Sequence, residues 1–412
     1  MSVMKKVLWV TSEFPPQVNV AAIRNVKFLK YLPQFNWGAV VICPKETAKH
    51  DETSEKLLRQ LSASITILAS VSNPFRSLEN KKIHLAYLIN NMMPPDGHNL
   101  WVFPVLFNIG PKIVEHKPHL VYTTCSPFSL NLIGAWVKYK YQLPWVTDFR
   151  DLWTLNPLLK RLMTPYYRLL SEVLERFYLK YCDALIVNTK NSQIRMIEKY
   201  PWLNNKIWVI PNGFDPEDIQ VNNESRVIPN SFFYGGSIYN KYSPLPLLQL
   251  LSKFLNKTYS DSSWELHYAG NANDMFANLV RQAGIRVKCE THGYLDPTSY
   301  NQFIQQMKFV LFCMPNNLDA KSWIPARLYD YIGNKSRIIS LISRDSEVAN
   351  ILEQYGNCLT IFYDEPIDIQ CNKLHQYFTE LEHEKQVNKK IIDGFSRKLL
   401  TSQLAQIFDQ LT

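Results

Sequence analysis

Trp323 to Ile338 reads WIPARLYDYIGNKSRI, and it contains side chains that could handle an anion. Pro325 suits the first turn of a helix, where a missing N–H costs nothing. Leu328, Tyr331 and Ile332 share one face, and Gly333 supplies a C-terminal stop. The apolar run RIISLIS follows at strand length. The stretch is therefore a loop, a helix and a buried strand. Arg327 falls in the first turn, where the macrodipole is already positive and a cation is mildly unfavourable. A docked anion resolves that conflict, because N–H groups without intrahelical partners point out of a helix N-terminus. Asp330, one turn on, can face the same ligand. Equally, Arg327 can point into solvent and Asp330 can be an ordinary first-turn acid, and this stretch alone does not choose.

The elements that must position these residues alternate along the whole chain. KVLWVTS, GAVVICP, ITILAS, LVYTTC, PWVTDF and ALIVNT are short apolar runs of strand length, with helical sequence between or after them. Ala21 to Leu32 is one such helix, with Ile23, Val26, Leu29 and Tyr31 with Leu32 near helical spacing. The alternation pauses at KIWVIPNGFDP, where Pro211, Asn212 and Gly213 punctuate a turn. A second series follows: SFFYGGS, WELHYAG, VKCETHGYL, FVLFCMP, RIISLIS and CLTIFYD. Buried parallel strands with crossover helices predict an α/β chain of two doubly wound, Rossmann-like domains. The expected boundaries are 1–211, 212–390, and a C-terminal helix over 391–412 that can pack back on the N-terminal domain. Ligands of such sheets bind beyond the carboxyl ends of the strands, so the site is expected in the cleft between the halves.

Composition narrows the function classes. The chain has 412 residues, 46% hydrophobic and 20% charged, enough for two sizeable cores. Its seven cysteines are never spaced C-x-x-C, which argues against a zinc ribbon or disulfide scaffold and fits a reducing cytosol. Only four apolar residues follow Lys5 and Lys6, so the N-terminus reads as a strand and not a signal peptide. No apolar run reaches about eighteen residues, so no membrane span is expected. The net charge of +9 is uneven: Met1 to Pro211 holds 26 Lys+Arg against 14 Asp+Glu, and Asn212 to Thr412 holds 19 against 22. A basic first half can serve an anionic membrane, a phosphorylated substrate or general solubility. No zinc-finger or RNP-like spacing supports nucleic acid. No G-x-G-x-x-G follows the first strand, which counts against a dinucleotide oxidoreductase.

Read in order, the segments resemble family 4 glycosyltransferases of the GT-B fold. The likeness rests on SEFPPQVNVAAIRNVKFLKYLPQFNW, PWVTDFRDLW, DALIVNT, VIPNGFD, FFYGGSIYNKYSPLPLL and IPARLYDYIGNKSRIISL. PWVTDFRDLW is similar to a D-x-R-D-x-W segment of one bacterial subgroup. The resemblance implies a hexosyl-type transferase that moves a sugar from a nucleoside-diphosphate-sugar to a hydroxyl of a glycan, lipid-linked or small-molecule acceptor, in bacterial surface-glycan synthesis. It implies retention at the anomeric carbon and no cofactor besides the donor substrate. It places the diphosphate at Pro325, Ala326, Arg327 and Leu328, with Lys241 assisting, and the ribose at Asp330, where the family usually has Glu. Gly235, Gly236 and Ser237 correspond to the loop under the donor, and His292, Gly293 and Tyr294 to the segment beside the base. That last trio can equally be a tight turn after a strand.

Two departures stand out. A Glu that contacts the sugar in many members is Ser322 here, and a D-x-H-E histidine is replaced by Arg150 between Asp148 and Asp151. Arg150 cannot act as a base, but it can steady a leaving phosphate or orient an acceptor. Asp148, Arg150 and Asp151 are therefore the candidate catalytic group, or a local ion-pair network at a strand end. No D-x-D follows a strand, so a metal-bound diphosphate is not expected and no metal ligands are assigned. Asn156 to Tyr181 is long, aromatic and basic. Its expected stripe is Leu159, Leu162, Met163, Tyr166, Leu170, Val173, Leu174 and Phe177, with Pro165 breaking or kinking it. Such a helix can lie on an anionic membrane at the cytoplasmic face or pack as an ordinary core helix. Two other readings share the fold: a sugar epimerase, and an inactive nucleotide-sugar-binding partner of a glycan assembly complex.

Overall fold

The computed structural model describes residues 4–45, 51–75, 89–90, 92–157, 159, 163–219, 227–238, 243–258, 264–317, 323–380 and 387–412. The chain divides into two compact units, Met1–Asn212 with Arg397–Thr412, and Gly213–Ser396.

The first unit is built on seven parallel strands: β1 (Lys5–Val10), β2 (Trp37–Cys43), β3 (Ile65–Ala69), β4 (Leu120–Cys125), β5 (Trp145–Phe149), β6 (Ala184–Val187) and β7 (Ile207–Val209). Their order is β3-β2-β1-β4-β5-β6-β7. β2, β4, β5 and β6 are buried along their whole length, because helices cover both faces and every side chain must be apolar or paired. One face packs Leu8, Val10, Val121 and Phe149 against the helices Asn99–His116, Leu130–Tyr141 and Pro165–Tyr181. The other packs Val7, Trp9 and Val41 against Val20–Tyr31 and the last helix, Arg397–Leu411. Phe408 of that last helix meets the rings of Trp37 and Tyr122 at 5.3 and 5.8 Å. Burying an aromatic or leucine side chain there is worth about 1.5–3 kcal/mol. The helix Val20–Tyr31 starts where Asn19 caps it, accepting from the Ala22 N–H at 2.8 Å.

The second unit repeats the plan with six strands: β8 (Ile228–Gly235), β9 (Glu265–Ala269), β10 (Lys288–Thr291), β11 (Met307–Cys313), β12 (Ile338–Ile342) and β13 (Cys358–Phe362). Their order is β10-β9-β8-β11-β12-β13, again all parallel. Every strand expected from the apolar runs is present, and the α/β class with two doubly wound sheets holds. In each sheet the chain builds outward on one side and then returns to build on the other. The reversal falls between β1 and β4 in the first unit and between β8 and β11 in the second. Connections leave such a point in opposite directions, which opens a crevice at the carboxyl ends of its two strands.

Two sequence expectations about Asn156 to Tyr181 are corrected. Pro165 neither breaks nor kinks the helix. It is its first residue, behind a Thr164 cap whose hydroxyl accepts from the Tyr167 N–H, where proline's fixed φ is already helical. The expected stripe is also divided: Leu159, Met163 and Leu174 pack half-buried against the core, and the rest of its described residues turn partly outward. Tyr167, Ser171, Glu175, Tyr178 and Leu179 are buried, whereas Tyr166, Val173 and Phe177 are exposed. Glu175 explains the shift. It is fully buried because the Thr154 N–H and hydroxyl, the Tyr200 hydroxyl and the Lys199 ammonium all donate to its carboxylate, so the buried face shifts to include this polar position and Tyr166, Val173 and Phe177 turn out. Leu162 of that stripe lies outside the described residues.

Candidate active site

In the second unit Gly235, Gly236 and Arg327, three of the expected donor residues, meet at the reversal point of the sheet. Gly235 ends β8 and Cys313 ends β11. Arg327 reaches both: its guanidinium donates to the Gly235 carbonyl at 3.1 Å and to the Cys313 carbonyl at 3.0 Å. The cation lies over the rings of Tyr234, 4.7 Å from the centroid, and Phe312, 5.3 Å. Its Nε is buried without a hydrogen-bond partner. Among the described residues Arg327 forms no ion pair with a carboxylate. The guanidinium is thus held by carbonyl dipoles and aromatic faces, and no carboxylate among the described residues neutralises its charge.

Arg327 is the second residue of the helix Ala326–Gly333, which has no side-chain cap and no acid in its first turn. The Leu328 N–H donates to the Pro325 carbonyl at 3.0 Å, so of the three N–H groups expected at a diphosphate, those of Ala326 and Arg327 remain the outward pair by position. The Leu328 side chain is buried, so only its backbone borders the helix end. Asp330 is half-buried, and its carbonyl accepts from the Asn334 backbone N–H at 2.9 Å.

The glycines opposite are required by close approach. A Cβ on Gly235 would fall 2.1 Å from the Tyr300 hydroxyl, and Gly236 adopts φ +101° with Arg327 Nη1 3.3 Å from its Cβ position. Ser237 is exposed just beyond. The Gly236 N–H donates to the Ala269 carbonyl and the Gly270 N–H to the Gly293 carbonyl, both at 2.8 Å, so the ladder continues past the strand ends. Gly270 was not singled out in the sequence, although it follows a strand just as Gly235 does, and a Cβ there would fall 2.4 Å from the Gly236 carbonyl oxygen. His292 donates its backbone N–H to Tyr268, Gly293 turns with φ +69°, and Tyr294 is exposed. Burial and the neighbouring His267 hold the His292 imidazole below its ordinary pKa, with Glu290 opposing. Lys241 and Ser322 lie outside the described residues.

In the first unit the three expected catalytic residues separate into different roles. Asp148, on β5, is fully buried. It accepts from Arg24 Nε at 3.3 Å and from the Tyr122 hydroxyl at 2.6 Å. Arg24 in turn donates to the carbonyls of Ile210 at 2.9 Å and Pro211 at 2.7 Å. Burial and Asp148 push the Tyr122 hydroxyl well up, so it stays a donor. Asp148 therefore anchors the strand end that leads out of the first sheet, and no face of it reaches solvent. Arg24 carried no sequence signal of this, since its partner lies 124 residues away.

Arg150 clasps the carboxyl end of β4. Its Nε donates to the Cys125 carbonyl at 3.2 Å, and its Nη2 bonds the Ser126 carbonyl. Asp151 alone of the three is exposed, yet its carboxyl is held above the ordinary carboxylate range. Crowded, poorly solvating surroundings are the first cause, the Arg150 charge opposes it, and Asp148 adds to it. Such a carboxyl suits proton transfer. Asp96, missed in the sequence, accepts from the Phe128 and Ser129 N–H groups at 2.7 and 3.1 Å at the start of the helix Leu130–Tyr141, so that helix end is already supplied with an anion of its own.

Comparison with known proteins agrees with this architecture. Residues 21–218 match the model of Glycosyltransferase Family 4. No curated protein sequence matches the chain. Among solved structures, a sucrose-phosphate synthase from Thermosynechococcus elongatus is similar over 99% of both chains, with a TM-score of 0.65 at 10% identity. A trehalose-6-phosphate protein from E. coli bound with UDP-2-fluoro glucose is similar over 98% of this chain and 95% of its own, with a TM-score of 0.56 at 12% identity. The lipopolysaccharide outer core galactosyltransferase WaaB is similar over 98% and 99%, with a TM-score of 0.58 at 14% identity. Residues 21–218 thus resemble glycosyltransferase family 4, and the whole chain shares the GT-B fold of these enzymes.

Proposed function

We propose that this glycosyltransferase takes a nucleoside-diphosphate-sugar as donor, binds its diphosphate in the second unit, and transfers the sugar to a hydroxyl of a glycan or lipid-linked acceptor. The observation that carries the reading is Arg327, a cation without a carboxylate partner among the described residues, fixed at the reversal point of a doubly wound sheet beside a helix N-terminus with no side-chain cap. Both features favour a doubly charged phosphate group. The E. coli neighbour that holds UDP-2-fluoro glucose supports the same ligand class.

In the reaction the bond from the anomeric carbon to the diphosphate oxygen breaks, and its electron pair leaves with the diphosphate. The helix N-terminus and Arg327 stabilise that growing charge with dipoles already in place, so the step needs no metal. The acceptor oxygen forms the new bond and gives up its proton. Asp151 is assigned as the proton acceptor, because a carboxyl with a raised pKa is the better base. Asp148 and Arg24 are assigned a positioning role, and Arg150 holds the turn after β4.

We place the acceptor at a membrane face and the process in surface-glycan synthesis. No helix of the described residues is long and apolar enough to cross a membrane. Three neighbouring helices of the first unit nevertheless expose an apolar belt: Phe103 and Phe107, Tyr139, and the row Tyr166, Leu169, Val173 and Phe177. Arg168, Arg176 and Lys180 flank that row. Exposed apolar groups edged by cations fit an anionic bilayer surface.

A donor panel tests the reading. Nucleoside-diphosphate-sugars are screened by thermal shift, since a ligand of the native state raises stability, and those that bind are tested for transfer to polyprenyl-linked and soluble glycans. Binding of at least one donor followed by transfer supports the reading. Failure of every nucleoside diphosphate to shift the melting point would sink it.

A further inference from the structure

Unit two carries a cluster of ionisable side chains of which the donor reading uses only His292, beside the base. Glu265 and His267 project from the same side of β9, and Glu290 lies opposite His267 on the edge strand β10. His292 follows that strand. His267 is 3% exposed. Its Nδ1 lies 3.1 Å from His292 Nε2 and 3.6 Å from Glu290 Oε2. Its Nε2 lies 3.2 Å from Glu265 Oε2, out of line for a full hydrogen bond. Lys288 takes the outer oxygens, at 2.5 Å from Glu290 Oε1 and 3.2 Å from Glu265 Oε1.

We propose that His267, Glu290 and His292 form a binding site for a divalent transition-metal ion of the zinc type, which clips the edge strand β10 to β9. Tetrahedral zinc with bonds of about 2.0–2.1 Å sets its ligand atoms about 3.4 Å apart. Two of the three separations here bracket that value, and all three ligand atoms fall within 4.8 Å of one another. Glu290 and His292 are half-buried, so each can turn to close the remaining edge, and the open side leaves a fourth position for water. Glu265 stands on the far nitrogen of His267, where it favours the Nε2–H tautomer and leaves Nδ1 to the metal. With neutral imidazoles, two carboxylates face one ammonium, so a cation restores the balance. Without metal, one ring nitrogen of the histidine pair donates its proton to the other. The metal takes that place, and one proton leaves to solvent if no other ring nitrogen is vacant. Two imidazoles with one carboxylate favour zinc, cobalt or nickel over magnesium or calcium.

The site shares His292 with the expected base segment, and its test reads metal alone, with no donor present. The full chain is stripped with chelator, dialysed, and titrated with cobalt(II) by visible absorption and with zinc by calorimetry. One equivalent should bind, giving a d–d band without thiolate charge transfer. That signature separates the site from the free cysteines. Glu290→Gln and His292→Gln should each weaken binding at least tenfold, and Glu265→Gln by about tenfold. Glu290 and His292 are half-buried, so circular dichroism can confirm that these variants fold. Absence of stoichiometric binding, a thiolate band, or unchanged affinity in both ligand variants would overturn the assignment.

Discussion

Arg24 and Arg327 are both guanidinium groups drawn in from the surface, one in each unit, and they are neutralised differently. Arg24 is 1% exposed and meets the fully buried Asp148 at 3.3 Å, with its other donors on the carbonyls after β7. Arg327 binds two strand-end carbonyls and two aromatic faces, and no carboxylate answers it among the described residues. The first arrangement is closed: charge and hydrogen bonds balance within the protein, so it holds the scaffold. The second leaves a net positive centre at a helix N-terminus. A charge that folding leaves unbalanced is one that a ligand can balance. The helix ends repeat the contrast. Asp96 supplies an anion to the start of Leu130–Tyr141, and Ala326–Gly333 has none in its first turn.

The largest effect that could break this comparison is expected at the closed pair. Asp148→Ala leaves Arg24 buried without its partner, which should cost about 3–5 kcal/mol of stability. Urea denaturation followed by fluorescence measures it. A loss below about 1 kcal/mol would show that Arg24 is not held by the carboxylate.

Asp151→Asn should act on turnover and on stability in opposite directions. Turnover should fall by about 10² or more, as for a lost proton acceptor, with donor affinity unchanged. The sign on stability follows from its raised pKa. The folded protein holds this proton more tightly than the unfolded chain does. The stabilisation is complete below the unfolded pKa and is lost as pH rises through the folded value. At neutral pH the ionised carboxylate is therefore a burden, and Asn removes it. Thermal melts at pH 7 should give a higher midpoint for the variant. A lower midpoint together with full activity would remove Asp151 from the site.

The smallest effects belong to the outer face of Pro165–Tyr181. Replacing Arg168, Arg176 and Lys180 by Gln should weaken association with phosphatidylserine vesicles by about 1 kcal/mol per residue, more at low salt than at physiological salt. Co-sedimentation at both salts reads it out. A parent protein that never pellets with anionic vesicles would leave the apolar belt without its assigned surface.

The residues differ in how legible they were. The strands could be read because each is an unbroken apolar run between turn residues. The donor helix could be read because a cation in a first turn is a local conflict visible in eight letters. The Pro165 helix was misread in part because Glu175 is buried by four donors from elsewhere in the chain, which brings a polar position onto the inner face beside Tyr178 and Leu179. Asp148 resembled a catalytic acid because DFRD looks the same whether its first carboxylate meets solvent or a buried Arg24. Only the pairing of residues 124 positions apart decides that. Gly270 could have been found from the same signal as Gly235, a glycine directly after a strand.

The central claim is that the unbalanced charge at Arg327 receives a diphosphate. Calorimetric titration of the intact chain with matched nucleosides and nucleoside diphosphates tests it, on the parent and on Arg327→Gln and Arg327→Lys. The account predicts that at least one diphosphate binds far more tightly than its nucleoside. It further predicts that Arg327→Gln loses roughly 1.5–3 kcal/mol of that difference, and that Arg327→Lys retains part of it. Equal affinity for nucleoside and diphosphate in the parent, or an unchanged difference in Arg327→Gln, would contradict it.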